Sequence, residues 1–228
     1  MNHRNVLTMG CLLTALLINS ISVSQAQTQS RKGNMKADEI LAAVKPGQWA
    51  KLEGFVQKDF SALCKQVEIL TGDFLDDDWT ISAVVQRIDK EKKEFTVMRI
   101  PIKLNKDSEL ESGNKVEKAG KAERHKAETQ AKSERAKRAD RSKAKVIDLE
   151  DLKVGMLLEI EGTYLKDGSF LALQVDDEST KLEAEPELKD EVEMVGKVEK
   201  VDPVQRTITM MGITFRLTER TKGKSVIK

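Results

Sequence analysis

"EGTYLKDGSFLALQVD" occupies residues 161–176, and a related stretch, "EGFVQKDFSALCKQVE", occupies residues 53–68. The two stretches align without a gap over 47–68 and 155–176, at an offset of 108 residues. A further pair of blocks, 84–104 and 197–217, aligns at an offset of 113, because the second of the two acidic loops is longer. Two aligned blocks in the same order predict an internal duplication.

Apolar residues alternate with polar ones within the aligned blocks, which is the period of a β-strand. Leu171, Leu173 and Val175 are predicted to share one strand face. The pair Asp167-Gly168 suits a tight hairpin turn between two such strands. Each copy is therefore expected to form about five short strands.

Closing such a small sheet into a barrel would bury its apolar face and remove its exposed edges. The predicted fold is mainly β, with two small OB-like five-stranded β-barrels in residues 36–104 and 146–222. Short helical pieces, 37–47 and 146–155, are expected to plug or flank the barrels.

The first copy departs from the second at two turn positions. Phe60 stands where the second copy has Gly168, and Arg99 stands where it has Gly212. Glycine adopts left-handed backbone at no steric cost, so the first copy is not expected to use the same turn cheaply. Pro101 lacks an N–H and predicts an edge or bulged strand. The first copy is the diverged one.

Residues 105–145 form a linker dominated by Lys, Ala, Glu and Arg, with almost no large apolar side chain to pack a core. The linker is expected to be a solvated, partly helical spacer, or else a disordered tether. If about thirty-odd of its residues were helical, the spacer would reach on the order of 50 Å. Its net basic end, 132–145, leaves open a patch for nucleic acid or lipid headgroups, although no aromatic residue interleaves the charges.

Residues 1–26 have the layout of a secretory signal peptide. Arg4 precedes an apolar run, which ends in the small-x-small site Ser24-Gln25-Ala26. Cleavage near Ala26 predicts a periplasmic or secreted protein with no transmembrane segment in the mature chain. The alternative is an uncleaved membrane anchor, for which the run is slightly short.

Composition and residue inventory argue against an enzyme. The 228-residue chain has a net charge of +1, 34% charged residues and 4% aromatics, so its overall field favours neither nucleic acid nor anionic membrane. Its two histidines are His3, in the signal, and His125, in the linker. The predicted barrels thus contain no Ser-His or Cys-His nucleophile pair and no histidine-rich metal site. Neither catalytic residues nor cofactors are predicted.

Two cysteines and four aspartates are the remaining candidates for chemistry. Cys11 leaves with the signal and Cys64 is then alone, so no internal disulfide forms; Cys64 is interpreted as a small apolar strand residue. The calcium candidates lie in one acidic loop: Asp73, Asp76, Asp77 and Asp78. That loop lacks the glycine-bearing spacing of a calcium loop, so an acidic solvated loop is the preferred interpretation.

Residues 195–221, "VGKVEKVDPVQRTITMMGITFRLTERT", resemble a small bacterial domain of unknown function found in exported proteins, often in tandem. Its pattern of glycines, valines and threonines is filled here by Gly196, Val198, Val201, Asp202, Thr207, Thr209, Gly212 and Phe215. Residues 151–176 resemble the preceding half of that domain, whereas the first copy lacks the matching glycines. The resemblance implies an exported β-domain and implies no chemical activity.

The sequence therefore predicts an exported, non-enzymatic binding or scaffolding protein, whose partner is a protein or glycan of the cell envelope. The alternative is an OB-type binder of nucleic acid or oligosaccharide, with stacking residues among Trp49, Phe55, Trp79 and Tyr164. Export, near-neutral charge and scarce aromatics argue against nucleic acid.

Overall fold

The computed structural model describes residues 35–112, 145–146 and 148–227. The predicted signal peptide, His125 and most of the charged linker lie outside the described residues. The described chain is mainly β, as the sequence predicts. Residues 35–112 are called the first segment and residues 145–227 the second segment.

The first segment begins with helix α1 (Ala37–Ala43), and its strands are β1 (Trp49–Val56), β2 (Ala62–Thr71), β3 (Trp79–Val84), β4 (Arg87–Asp89), β5 (Glu94–Val97), β6 (Ile100–Lys103) and β7 (Glu109–Ser112). The strands of the second segment are β8 (Lys145–Val146), β9 (Leu157–Tyr164), β10 (Phe170–Asp177), β11 (Glu191–Lys197), β12 (Lys200–Asp202), β13 (Thr207–Met210), β14 (Ile213–Arg216) and β15 (Lys222–Ile227). It also contains helix α2 (Thr180–Ala184) and the 3₁₀ turns Leu149–Asp151 and Pro186–Asp190.

The two segments exchange strands. Strand β11 of the second segment lies between β1 and β3 of the first, and β3 in turn pairs with β9 of the second. One row of side chains crosses these four strands, Leu52, Met194, Ile81 and Ile160, and all four are fully buried. Because this row is shared, the two segments have a common hydrophobic core.

The remaining contacts follow the same exchange. Strand β14 runs parallel to β2, with Phe215 opposite Ala62, and β6 runs parallel to β10, with Ile102 opposite Phe170. Strand β15 extends the pairing along β2, and β7 does so along β10. Each partner pair is related to its counterpart by the offsets of 108 and 113 residues seen in the sequence.

Separate OB-like five-stranded barrels are therefore not what the described strands form. They form one fifteen-stranded sheet, which is open and contains strands of both segments. The barrel prediction fails because β3 and β11 present similar apolar faces, so the sequence pattern does not determine which of these two strands pairs with β1. Close packing favours the exchanged pairing: Gly196 of β11 lies against the ring of Trp79 in β3, where a Cβ would overlap that ring.

A β-bulge overturns the predicted face of β10. The register shifts between Ala172 and Gln174, so Leu173 is the extra residue and is 37% exposed. The buried side chains are those of Phe170, Ala172 and Val175. The expectation that Leu171 and Leu173 share the face of Val175 is wrong, because a period of two breaks at a bulge.

The ends of the charged linker lie side by side. Strand β7 pairs with β8 so that Ser112 is opposite Lys145 and Glu111 is opposite Val146. The first part of the predicted linker, 105–112, belongs to the fold, and Leu110 is buried in the core. The linker therefore does not separate the two segments as an extended spacer, because the residues on either side of 113–144 pair with each other.

Two local predictions concern helix α1 and the strand that contains Pro101. Helix α1 buries Ile40, Leu41 and the following Val44, as its apolar stripe predicts. The prediction of an edge or bulged strand at Pro101 is wrong, because β6 lies between β5 and β10 with no register shift. Pro101 is opposite Thr96 of β5, and the pairing of β6 with β10 begins only at the next residue, Ile102. The missing N–H of proline is thus placed where the second neighbouring strand does not need it.

Candidate binding cleft

The hairpins β1–β2 and β9–β10 use the same turn. Gln57 N–H donates to the Ser61 carbonyl at 2.8 Å, and Leu165 N–H donates to the Ser169 carbonyl at the same distance. The left-handed position is Gly168 in one turn, with φ of 82°, and Phe60 in the other, with φ of 64°. The first segment therefore adopts the glycine turn without the glycine.

The hairpins β5–β6 and β13–β14 also match. Met98 and Arg99 have φ of 46° and 65°, and Met211 and Gly212 have φ of 48° and 72°. Two consecutive positive φ values are typical of a type I′ turn, which suits a two-residue hairpin loop. In the first turn the Gln86 side chain accepts a hydrogen bond from Arg99 N–H at 3.2 Å. In the second, the Glu199 carboxylate accepts one from Gly212 N–H at 3.1 Å.

These four turns surround a cleft of about 490 Å³. Its floor consists of buried apolar side chains contributed in matching pairs by the two segments, Met98 with Met211 and Ile100 with Ile213. Its rim carries the half-buried rings of Phe60 and Tyr164 and the exposed Arg99 and Arg216. The cleft thus exists only because the two segments are combined.

The rim is asymmetric, although the turns beneath it match. The Arg99 guanidinium carbon lies 4.1 Å from the centroid of the Phe60 ring, a cation–π contact. At the equivalent place the second segment has Gly168 and Gly212, and the Tyr164 hydroxyl lies 3.9 and 3.5 Å from where their Cβ atoms would be. Left-handed backbone costs a non-glycine residue about 1–2 kcal/mol. Strain at Phe60 and Arg99 therefore supports a contact that glycines could not make.

Electrostatic pairing differs between the two halves of the rim. Lys103 Nζ lies 2.8 Å from Asp167, and this hydrogen bond is the largest cause lowering the pKa of that carboxyl. The equivalent aspartate, Asp59, accepts hydrogen bonds from the Ser61 hydroxyl and N–H at 2.6 and 3.0 Å, which lower its pKa. Arg216 stands in the place of Lys103. It forms no ion pair with Asp59 within the described residues, although its charge is a smaller cause that also lowers the pKa of Asp59.

The stacking residues suggested by the sequence are mostly structural. Trp49 and Trp79 are 9% and 7% exposed, and their ring centroids are 5.2 Å apart. Phe74 continues this row at one end and Tyr164 continues it at the other, at 5.0 and 5.7 Å. Of the four suggested residues, Tyr164 alone lines the cleft, whereas Phe55 is exposed outside it, beside Lys65.

The calcium candidates are spread along the loop between β2 and β3. Asp76 forms an ion pair with Lys197 at 3.0 Å, and Asp78 accepts a hydrogen bond from Leu75 N–H at 2.7 Å. Asp73 and Asp77 are exposed. In the described part of the chain, no group of three or more His, Cys, Asp or Glu side chains could hold a metal ion.

A second depression, of about 230 Å³, is lined by carboxylates on the outer face of the sheet. Lysines neutralise part of this charge: Lys51 lies 2.7 Å from Glu193, Lys181 lies 2.6 Å from Glu178, and Lys65 lies 3.1 Å from Glu191. Burial raises the pKa of Glu159, and the neighbouring Glu178 raises it further. These groups form an ion-pair network and do not converge on a ligand.

Cys64 is a buried residue of β2. Its thiol donates to the carbonyl of Gln66 at 3.5 Å, and burial raises its pKa to about 12. A thiol with so high a pKa carries almost no thiolate at neutral pH, so it is a poor nucleophile.

Comparisons with known proteins add one finding. A family model described as "Domain of unknown function (DUF5666)" matches residues 125–176. The described part of that range contains β9 and most of β10, whereas the glycine pattern at 195–221 lies outside it. Neither a curated protein nor a solved structure matches the chain significantly. Among the described residues, no helix is sufficiently long and apolar for a membrane crossing.

The residues of the cleft are mostly ones that sequence reasoning missed. The sequence pattern marks Phe60 and Arg99 only as replacements of glycine, and it does not single out Arg216. The available signal was that both replacements fall at turn positions where glycine is favoured. Their convergence with Tyr164 follows from strand exchange, which the sequence pattern does not specify.

Proposed function

We propose that this chain is a non-enzymatic binding protein, and that its ligand occupies the cleft formed by the four hairpin turns. The observation that carries the proposal is the contact of Phe60 with Arg99 at positions of left-handed backbone. Strain that persists where glycine would relieve it is a pointer to function. A cleft of about 490 Å³ falls within the usual range of ligand sites.

The test uses a variant that copies the second segment into the first. In Phe60→Gly/Arg99→Gly both turns have the glycines that Gly168 and Gly212 supply elsewhere in the same chain, so the fold should persist. The full chain and this variant are applied to an array of neutral and acidic oligosaccharides and short peptides. We expect at least one class to bind the full chain and to bind the variant much more weakly.

The matched control is Lys93→Gly. Lys93 is an exposed cation with φ of 54° in the β4–β5 turn, and it does not line the cleft. The Lys93→Gly variant should bind each class of ligand as the unaltered chain does. Binding that is equal in the unaltered chain and the double variant would place the site elsewhere. No binding to any class would contradict the proposal.

We also propose that the protein is exported, on the basis of the order of basic, apolar and small-x-small residues in 1–26. The mature chain should begin at Gln27, in the periplasm or the medium. Mass spectrometry of the N-terminal peptide from each cell fraction tests this, and a cytoplasmic chain that still begins at Met1 would contradict it.

A further inference from the structure

The two rim arginines are available to an anionic ligand. Within the described residues, Arg99 stacks on Phe60 and forms no ion pair, and Arg216 forms no ion pair but is near enough to Asp59 for its charge to help lower the pKa of that carboxyl. Arg99 lies over the Phe60 ring at 4.1 Å, and stacking on an aromatic face leaves the edge donors of a guanidinium free. Such an edge matches the two oxygens of a carboxylate. With Asp59, the charged rim residues sum to one net positive charge.

The rest of the cleft suits a ligand with both apolar and hydroxyl surface. Buried Met98 and Met211 provide an apolar floor, and the half-buried rings of Phe60 and Tyr164 stand beside it. Thr214 and Tyr164 add hydroxyl groups at the rim. A sugar ring has the same combination of an apolar face and hydroxyl edges.

Other anionic ligands fit the site less well. Peptides that bind to sheets usually add a strand along a free edge, whereas this cleft is lined mainly by turn residues. Single-stranded nucleic acid needs a basic track and several exposed stacking rings. Trp49 and Trp79 are buried, and the whole chain carries a net charge of only +1.

We infer that the cleft binds an acidic saccharide, whose uronate carboxylates are recognised by Arg99 and Arg216. This inference rests on the proposed binding function and specifies its ligand class. No covalent step is involved, because the site holds the saccharide by ion pairs, hydrogen bonds and apolar contact.

The experiment titrates the full chain with an oligogalacturonate and, as its neutral counterpart, with the methyl ester of the same oligomer. Chemical shifts of the Met98 and Met211 methyl groups report binding at the floor of the cleft. We expect the ester to bind at least about tenfold more weakly, because it lacks charge-assisted hydrogen bonds. Arg99→Gly should lower affinity for the acid by a similar factor, whereas Lys93→Gly should not.

Arg216→Lys keeps the positive charge but removes the planar guanidinium that can bind a carboxylate with two hydrogen bonds. This variant should therefore bind the acid more weakly. Equal binding of acid and ester, or no shift of either methionine methyl group at millimolar oligogalacturonate, would overturn the inference. So would tighter, Arg99-dependent binding of dextran sulfate or of a single-stranded oligonucleotide. If another class of ligand binds in a manner that depends on Phe60 and Arg99, the saccharide inference fails and the proposed function survives.

Discussion

Replacing Ile81 with alanine tests whether the two segments share one core. Ile81 lies in β3 of the first segment and is fully buried between Met194 and Ile160 of the second. Truncating a buried isoleucine to alanine costs about 2–5 kcal/mol of unfolding free energy. Small proteins are stable by about 5–15 kcal/mol, so the loss is large but need not abolish folding.

The loss of unfolding free energy should also be detected in strands that do not pair with β3. Strands β13 and β14 of the second segment are separated from β3 by β2, β1 and β11. In a cooperative unit, the slowest amides of residues 207–216 should exchange roughly 30- to 4,000-fold faster in Ile81→Ala, at about tenfold for every 1.4 kcal/mol. Hydrogen exchange of the native full chain, read by mass spectrometry, measures this.

Met194→Ala alters the counterpart of Ile81 at the same crossing and should accelerate the same amides. Val204→Ala is the control, because Val204 is 94% exposed and its truncation should change nothing. The reasoning would be refuted if exchange in 207–216 stayed unchanged while 50–56 lost protection. Independent folding of either segment to a native-like spectrum would refute it equally.

Three further predictions concern the linker, the thiol and the acidic face. Replacing residues 113–144 with a short turn should leave the melting temperature almost unchanged, because the flanking residues already pair across β7 and β8; circular dichroism checks this, and a cooperative loss of structure would contradict it. Cys64 should resist alkylation at pH 8 in the folded chain, since a pKa of about 12 lowers its thiolate fraction about a thousandfold from that of an ordinary thiol with a pKa of 9.0; rapid labelling without denaturant would show the thiol to be accessible. Glu159→Gln should raise the free energy of unfolding at pH 7 by less than about 1 kcal/mol, because the carboxyl is partly screened by solvent. The folded-state pKa of Glu159 is raised, so its destabilising effect is fully present above that pKa and is relieved as pH falls through it; urea unfolding of both proteins at pH 7 and pH 4 should show the gain shrinking at the lower pH.

Features that depend on short stretches of chain were predictable from the sequence alone. The period of two in the aligned blocks indicated strands, and the pair Asp167-Gly168 indicated the hairpin between β9 and β10. The apolar stripe of 37–44 indicated the helix that buries Ile40. Periodicity and turn chemistry act over a few neighbouring residues, so they leave a direct record in the sequence.

The position of Leu173 was not predictable, because nothing in the pattern distinguishes a continuous strand from one with an extra residue. The register shift beside Ala172 turns Leu173 outward and brings Phe170 into the core. A single bulge thus reverses the faces that a strict alternation assigns to half a strand.

Only the tertiary structure decided which strands are partners, and with them the cleft. Strands β3 and β11 present similar apolar faces to β1 and β9, so local pattern cannot choose between pairing within a segment and exchange. Packing of the whole chain decides it, including the fit of Gly196 against the Trp79 ring and the row that joins Leu52 to Ile160. Strand exchange brings together turns that are far apart in sequence. Arg99, Tyr164 and Arg216 therefore line one cleft as a result of long-range contacts, which the sequence pattern does not record.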